Sequence, residues 1–275
     1  MSTSAPGPRV TGLETEFGLL CAPAGPSEAT KSDLPDVERA AALIFRHRPV
    51  GYRSTNLFLP NGGRLYLDIG AHPEYATAEC VSVRDLVAQD QAGRAILADM
   101  ATRAAAGLSQ EGTAVRFHLL ANNTDSAGHT YGCHESYSVP RSLLDATDDA
   151  SAASSETTMA VLTSFLATRP VLVGSGRPLA GGPTEPNDGS RGAGEETAWG
   201  LSPRAPHLQA LTSADTTGQR ALVNTRDEPH ADATRLRRLH VTCADTTMAE
   251  PTTGLRSAVT LLLLDALEAG WDFTD

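Results

Sequence analysis

The chain has 275 residues, 40% hydrophobic and 20% charged, which is enough for a substantial core in one large domain or two small ones. With 22 Lys and Arg against 33 Asp and Glu, its net charge of −11 argues against general nucleic-acid binding, which needs cationic neutralisation of phosphates. Cys21, Cys80, Cys133 and Cys243 form no Cys-x-x-Cys pair, the N-terminus lacks an apolar signal segment, and the most apolar run, 259–264, ends at Asp265. These features predict a reduced, cytoplasmic protein without a zinc site or a membrane span.

In chain order, residues 1–8 read as a disordered tail, 9–20 as a strand, 22–34 as a loop rich in Pro, Ser and Gly, and 36–48 as a helix. Two strands, 56–59 and 64–69, flank Pro60-Asn61-Gly62-Gly63, a strong hairpin signal. A long helix is expected over 83–107, with Ser82 as its N-cap and Asp85 in its first turn. Strands follow at 115–121 and 132–139, then a helix at 157–167 and a short apolar strand at 171–173. The stretch 174–198, rich in Gly and Pro, reads as a flexible insertion rather than a boundary, because polar motifs resume after it. Strands at 221–224 and 238–243 precede a helix over 251–269, opened by Pro251 and closed by Gly270. The order predicts an α+β protein, a mostly antiparallel sheet backed by helices.

Three polar stripes carry the chemistry: Glu14 and Glu16; Arg64, Tyr66 and Asp68; and His72, Glu74 and Thr77. Strand side chains alternate, so Glu14 and Glu16 share a face, as do Arg64, Tyr66 and Asp68, while Leu65, Leu67 and Ile69 take the buried side. Glu14 and Glu16 alone read as solvated strand charges. Carboxylates, a phenol and an arginine together are instead the donor set for a hard divalent cation and a phosphate. Cys133, Glu135 and Tyr137 share one face of a later strand, with His134 and Ser136 on the other; His134 alone reads as a structural histidine. A third cluster runs from Asn224 to Asp232 and on through Arg235, Arg237, Arg238 and His240, and reads either as an arginine that clamps phosphates, held by acidic partners, or as an ion-paired loop and helix start. There is no Walker loop, no Rossmann glycine pattern and no Gly-x-Ser-x-Gly.

The segments GLETEFG, NLFLPNGGRLYLDIGAHPEYATAEC, NNTDSAGHTYGCHESY and NTRDEPHADATRLRRLHV, spread from residue 12 to 241, resemble the family of ligases that attach the prokaryotic ubiquitin-like protein Pup to lysines of target proteins. The Pup deamidase/depupylase is a similar paralogue, and both are relatives of glutamine synthetase. The short stretch between the first strand and the hairpin favours the ligase. The resemblance implies a glutamine synthetase-like catalytic domain over 9–275, C-terminally short of the family, which carries a small further domain and an ATP-contacting tryptophan. It implies Mg²⁺ ligands at Glu14, Tyr66 and Glu74, with Glu16 as a further candidate, and ATP contacts at Arg64, Thr77 and Arg226. Asp68 is implied as the catalytic proton acceptor. ATP and Mg²⁺ are the implied cofactors, and Pup and lysine-bearing targets the implied partners. The implied reaction joins the C-terminal glutamate of Pup to a lysine through a γ-glutamyl phosphate, marking the target for proteasomal degradation. The alternatives are deamidation or depupylation, or a non-catalytic homologue with a binding role.

Overall fold

A computed structural model describes residues 8–25, 34–49, 51, 54–121, 123–125, 128–145, 149–179, 198–215, 218–229 and 231–273. The expected tail therefore lies almost wholly outside the described residues, as do residues 180–197 of the expected insertion. The strands are β1 (Thr11–Glu16), β2 (Gly18–Pro23), β3 (Asn56–Phe58), β4 (Arg64–Asp68), β5 (His72–Ala76), β6 (Val115–Leu120), β7 (Cys133–Pro140), β8 (Arg177–Leu179), β9 (Ala198–Gly200), β10 (Ala210–Ser213), β11 (Ala221–Asn224) and β12 (Leu236–Val241). The helices are α1 (Val37–Phe45), α2 (Val83–Gln110), α3 (Arg141–Leu144), α4 (Asp149–Thr168), α5 (Pro170–Val173) and α6 (Glu250–Glu268). Among them no helix is long and apolar enough to cross a membrane.

One eight-stranded sheet, ordered β10-β11-β12-β7-β1-β5-β4-β3, organises the molecule. All its pairings are antiparallel except β10 with β11, so the α+β expectation holds. The expected 9–20 strand breaks at Phe17, whose N–H donates to Pro73 O at 2.9 Å. Beyond it, β2 leaves the large sheet to pair with β6, while β8 pairs with β9 on either side of the undescribed stretch.

Two apolar clusters lie against the sheet. One joins α1 and α2 to β2, β4, β5 and β6 around Ile44, Leu65, Tyr75, Leu97 and Met100. The other joins α4 and α6 to β7, β11 and β12 around Val139, Leu162, Leu166, Leu239 and Val241. Helix α2 begins where the sequence places it: the Ser82 hydroxyl accepts the Asp85 N–H at 3.1 Å, satisfying an otherwise orphaned donor. The helix lies so close to β5 that a Cβ at Gly93 would stand 2.2 Å from the Tyr75 ring, so a glycine is required there. Tyr75 is 2% exposed, and its hydroxyl donates to Gln89 Oε1 at 2.9 Å.

Two expectations change and one strand is added. Residues 171–173 belong to the helical turn α5, opened by Pro170 at a position where its missing N–H costs nothing. Residues 72–76 form a full strand, although Pro73 interrupts their strand-like composition. Ile69 is 78% exposed instead of buried. Strand β4 ends at Asp68, and the chain then reverses through Ile69, Gly70 and Ala71, the last two at φ 87° and 61°. The two-residue alternation stops with the strand.

Candidate active-site face

The register stacks the polar residues in rows across the strands. Glu16 on β1 is opposite Glu74 on β5, and Glu74 is opposite Tyr66 on β4. In the next row His134 on β7 is opposite Glu14, Glu14 opposite Ala76, and Ala76 opposite Arg64. The small Ala76 thus separates a carboxylate from a guanidinium without filling the space between them. Asp68 and His72 form a third row at the β4–β5 turn.

Each side chain has an identifiable support. His134 Nδ1 lies 3.1 Å from Glu14 Oε2, and Arg238 Nη2 donates to Glu14 Oε1 at 3.1 Å. Arg238 is itself held by Ser136 through Nε at 3.0 Å. His72 Nδ1 lies 2.5 Å from Glu16 Oε1, and Gly132 N–H donates to Glu16 Oε2. A Cβ at Gly132 would stand 3.0 Å from that oxygen, so the glycine admits the carboxylate. Arg64 Nε donates to Asn56 Oδ1 at 2.8 Å, and its guanidinium lies 4.5 Å from the centre of the Tyr66 ring. Thr77 accepts the Leu13 N–H on its hydroxyl at 3.0 Å. A Cβ at Gly12 would meet that hydroxyl at 3.4 Å, so Thr77 lies over the same face as Glu14 and Glu16.

The electrostatics divide the face in two. Burial alone would raise Glu14, but the hydrogen bond and charge of His134, with His240 and Arg238, outweigh it and hold the carboxyl at about 2. Among the described residues Glu74 has no such cationic partner. Burial, against the hydrogen bond to Tyr66 and with the charges of Glu14, Glu16 and Asp68, pushes it up to about 8. Burial, then the charges of Glu74 and Glu14 and the hydrogen bond to Glu74, drive the Tyr66 phenol far above its usual range against the opposing Arg64. Burial and the neighbouring His134 and Arg238 lower His240 to about 3, leaving a neutral imidazole. The face therefore holds more negative charge than its own cations neutralise around Glu74.

Glu14, Tyr66, Glu74, Glu16, Arg64, Asp68 and Thr77 are thus gathered on or over one face. Arg226 is not among them. It lies beyond β11, half-exposed and paired with Glu228 Oε1 at 2.5 Å, and among the described residues it makes no bond to the carboxylate group. The sequence reading undervalued His134 and His240. With Glu14 they place three ligand atoms within 4.8 Å of one another, a position for a cation on a mixed nitrogen and oxygen set. The signal was available in alternation, since His134 falls on the face opposite Glu135; its pairing with His240 depends on long-range register.

A profile of the family described as Pup-ligase protein matches residues 9–275. The chain belongs to this family. The Pup–protein ligase of Xylanimonas cellulosilytica is 45% identical over 262 residues, covering 95% of this chain and 51% of that protein. That of Rothia mucilaginosa is 43% identical over 265 residues, covering 94% and 51%. The crystal structure of Pup in complex with its ligase PafA matches with a TM-score of 0.75 at 37% identity, covering 95% of this chain and 47% of that one. The PafA structure in complex with ADP gives 0.63 at 38%, covering 90% and 49%. This Pup-ligase family chain spans about half the length of the relatives it matches.

Proposed function

We propose that this chain carries the catalytic face of an ATP- and Mg²⁺-dependent Pup–protein ligase. The observation that supports the reading most is the under-neutralised row Glu16–Glu74–Tyr66 beside Glu14 and Arg64. Buried carboxylates facing one another fit a hard divalent cation, and an arginine across a methyl-sized gap fits a phosphate. Two solved relatives, one with Pup and one with ADP, match nine-tenths or more of the chain.

Glu14, Tyr66 and Glu74, with Glu16, would hold Mg²⁺, which when bound offsets the charge of the transferring phosphoryl group. Arg64 and Thr77 bind and orient ATP. The γ-carboxylate oxygen of Pup's C-terminal glutamate attacks the γ-phosphorus, the bond to the β-phosphate oxygen breaks, and ADP leaves. Asp68, at the exposed end of β4, takes a proton from the lysine Nζ. The amine attacks the acyl carbon, the acyl–oxygen bond breaks, and phosphate departs as the isopeptide forms. The reading implies a cytoplasmic enzyme acting on lysine-bearing proteins.

The test combines the chain with ATP, Mg²⁺, Pup ending in glutamate and a lysine-bearing target. Conjugate and ADP should form together, and Asp68→Asn should cut conjugation by roughly 10²–10⁴-fold, the span of general-base contributions. Neither product from the parent chain, or undiminished conjugation by Asp68→Asn, would overturn the reading.

A further inference from the structure

The β3–β4 hairpin carries one residue that the ligase chemistry does not use. Leu57 and Leu59 turn into the core, 2% and 6% exposed, whereas Phe58 between them is 74% exposed. Alternation places Phe58 and Asn56 on the face opposite Leu57. The register sets Phe58 against Arg64 and Asn56 against Tyr66. Phe58 is thus the outermost member of the row His134–Glu14–Ala76–Arg64, on the face of the carboxylates. Strand β3 ends the sheet, so among the described residues no further strand lies beyond it. Among those residues Phe58 is also the only exposed aromatic on the strands of the large sheet; Trp199, Trp271 and Phe273 lie elsewhere.

A single exposed apolar side chain is ordinary; what distinguishes Phe58 is its neighbour. The Arg64 guanidinium lies 5.9 Å from the Phe58 ring centre and 4.5 Å from that of Tyr66, and its Nε donates to Asn56 Oδ1 at 2.8 Å. A ring open to solvent beside an oriented guanidinium offers two things to one ligand: a π-face on which a planar base stacks, and donors for phosphate oxygens. The span also fits. From β1, which carries Glu14, to β3 is three strand spacings, about 14 Å at roughly 4.8 Å each, comparable to an extended nucleoside triphosphate. We infer that Phe58 is the base platform of the nucleotide site: the base lies on its ring, and the phosphates run over Arg64 toward Glu14 and Glu74. The inference rests on the ligase reading for its ligand, ATP. Stacking uses the face of the base and not its edge, so this platform holds a purine without selecting adenine over guanine.

Equilibrium titrations in Mg²⁺ compare ATP, GTP and inorganic tripolyphosphate, which has the phosphates and no base. Phe58→Ala should weaken ATP and GTP alike by about 5- to 150-fold, the span of stacking one base on an aromatic side chain, and leave tripolyphosphate binding unchanged. Phe58→Trp should bind ATP at least as tightly as the parent. Phe58→Leu keeps apolar bulk without the ring and should bind like Phe58→Ala. With the side chain 74% exposed, the melting curves of all three variants should match the parent, which separates lost stacking from lost folding. Parent-like ATP binding by Phe58→Ala, or equal losses of ATP and tripolyphosphate, would overturn the proposal and leave the ligase reading standing. A parent chain that binds no ATP would overturn both.

Discussion

On the upper face of β7, His134 meets Glu14 across the strand gap, in a group that still carries surplus negative charge around Glu74. One residue along, beneath the sheet, Glu135 is fully buried and held by Arg169 and Arg256, each at 2.7 Å. The Tyr137 hydroxyl adds a hydrogen bond at 2.8 Å. The lower carboxylate has its counter-charges built into α6 and the end of α4. The upper ones face one another across neighbouring strands, at a cost that proton uptake by Glu74 or a bound cation would offset. The contrast separates a carboxylate neutralised by built-in cations from carboxylates that face one another without them, on the two faces of one sheet.

Removing the lower carboxylate gives the largest expected effect on stability. Glu135→Ala leaves two buried guanidinium groups facing each other and should destabilise the chain by about 3–5 kcal/mol in denaturant titration. The pH dependence follows with it. Burial alone would raise Glu135, but Arg169 and Arg256 outweigh it and depress its folded-state value. Its contribution is therefore present above the unfolded carboxyl value of about 4.3 and is lost as pH falls toward the folded value. The parent should lose stability on the acid side of that point, and Glu135→Gln should show a shallower acid limb. An unchanged limb would mean that the pair is already broken in solution.

The upper face should respond with the opposite sign. Glu74 has its folded-state value raised to about 8, so in chelator its unfavourable burial grows as pH rises from the unfolded value toward 8. Glu74→Gln removes that repulsion and should stabilise the metal-free chain at neutral pH by up to about 4 kcal/mol, an order-of-magnitude figure from 1.36 kcal/mol per unit between the unfolded value and pH 7. The same substitution should remove most of the stabilisation that saturating Mg²⁺ gives the parent, roughly 2.7 kcal/mol at a hundredfold excess over the dissociation constant. Thermal melts of both proteins with Mg²⁺ or chelator make the comparison. A destabilised Glu74→Gln in chelator would place this carboxylate with Glu135 among the fold-holding charges.

This division was half visible in the sequence. Alternation assigned Glu14 with Glu16, Arg64 with Tyr66 and Asp68, and Glu135 away from His134, because a strand's side-chain period is local information. The Pro60–Gly63 hairpin and the Ser82 cap were legible for the same reason. What joined these pieces was not local. Whether Glu135 sits in water or between two arginines depends on Arg169 and Arg256, 34 and 121 residues away in sequence. His240 reaches Glu14 only because β12 pairs with β7 and β7 with β1. The β5 strand was hidden by Pro73, and the exposure of Ile69 by a turn whose left-handed residues include Ala71, a residue type that seldom adopts that conformation.

The smallest effects should come from Arg226, and they sharpen the comparison between a charge held in place and one free to move. Its ion pair with Glu228 joins side chains that are 51% and 48% exposed, and exposed pairs of this kind contribute about 0–1 kcal/mol. Arg226→Ala should therefore leave the melting curve nearly unchanged. Arg64 is fixed differently, bonded to Asn56 and stacked on Tyr66 within the face, so it is already oriented toward the row that holds Glu14. An oriented guanidinium loses less freedom when it meets a phosphate than one that must first leave another partner. Arg64→Ala should accordingly raise the KM for ATP more than Arg226→Ala does. The reverse order would mean that the loop after β11 swings onto the nucleotide, exchanging Glu228 for phosphate oxygens, and that its exposed ion pair stores the arginine until ATP arrives.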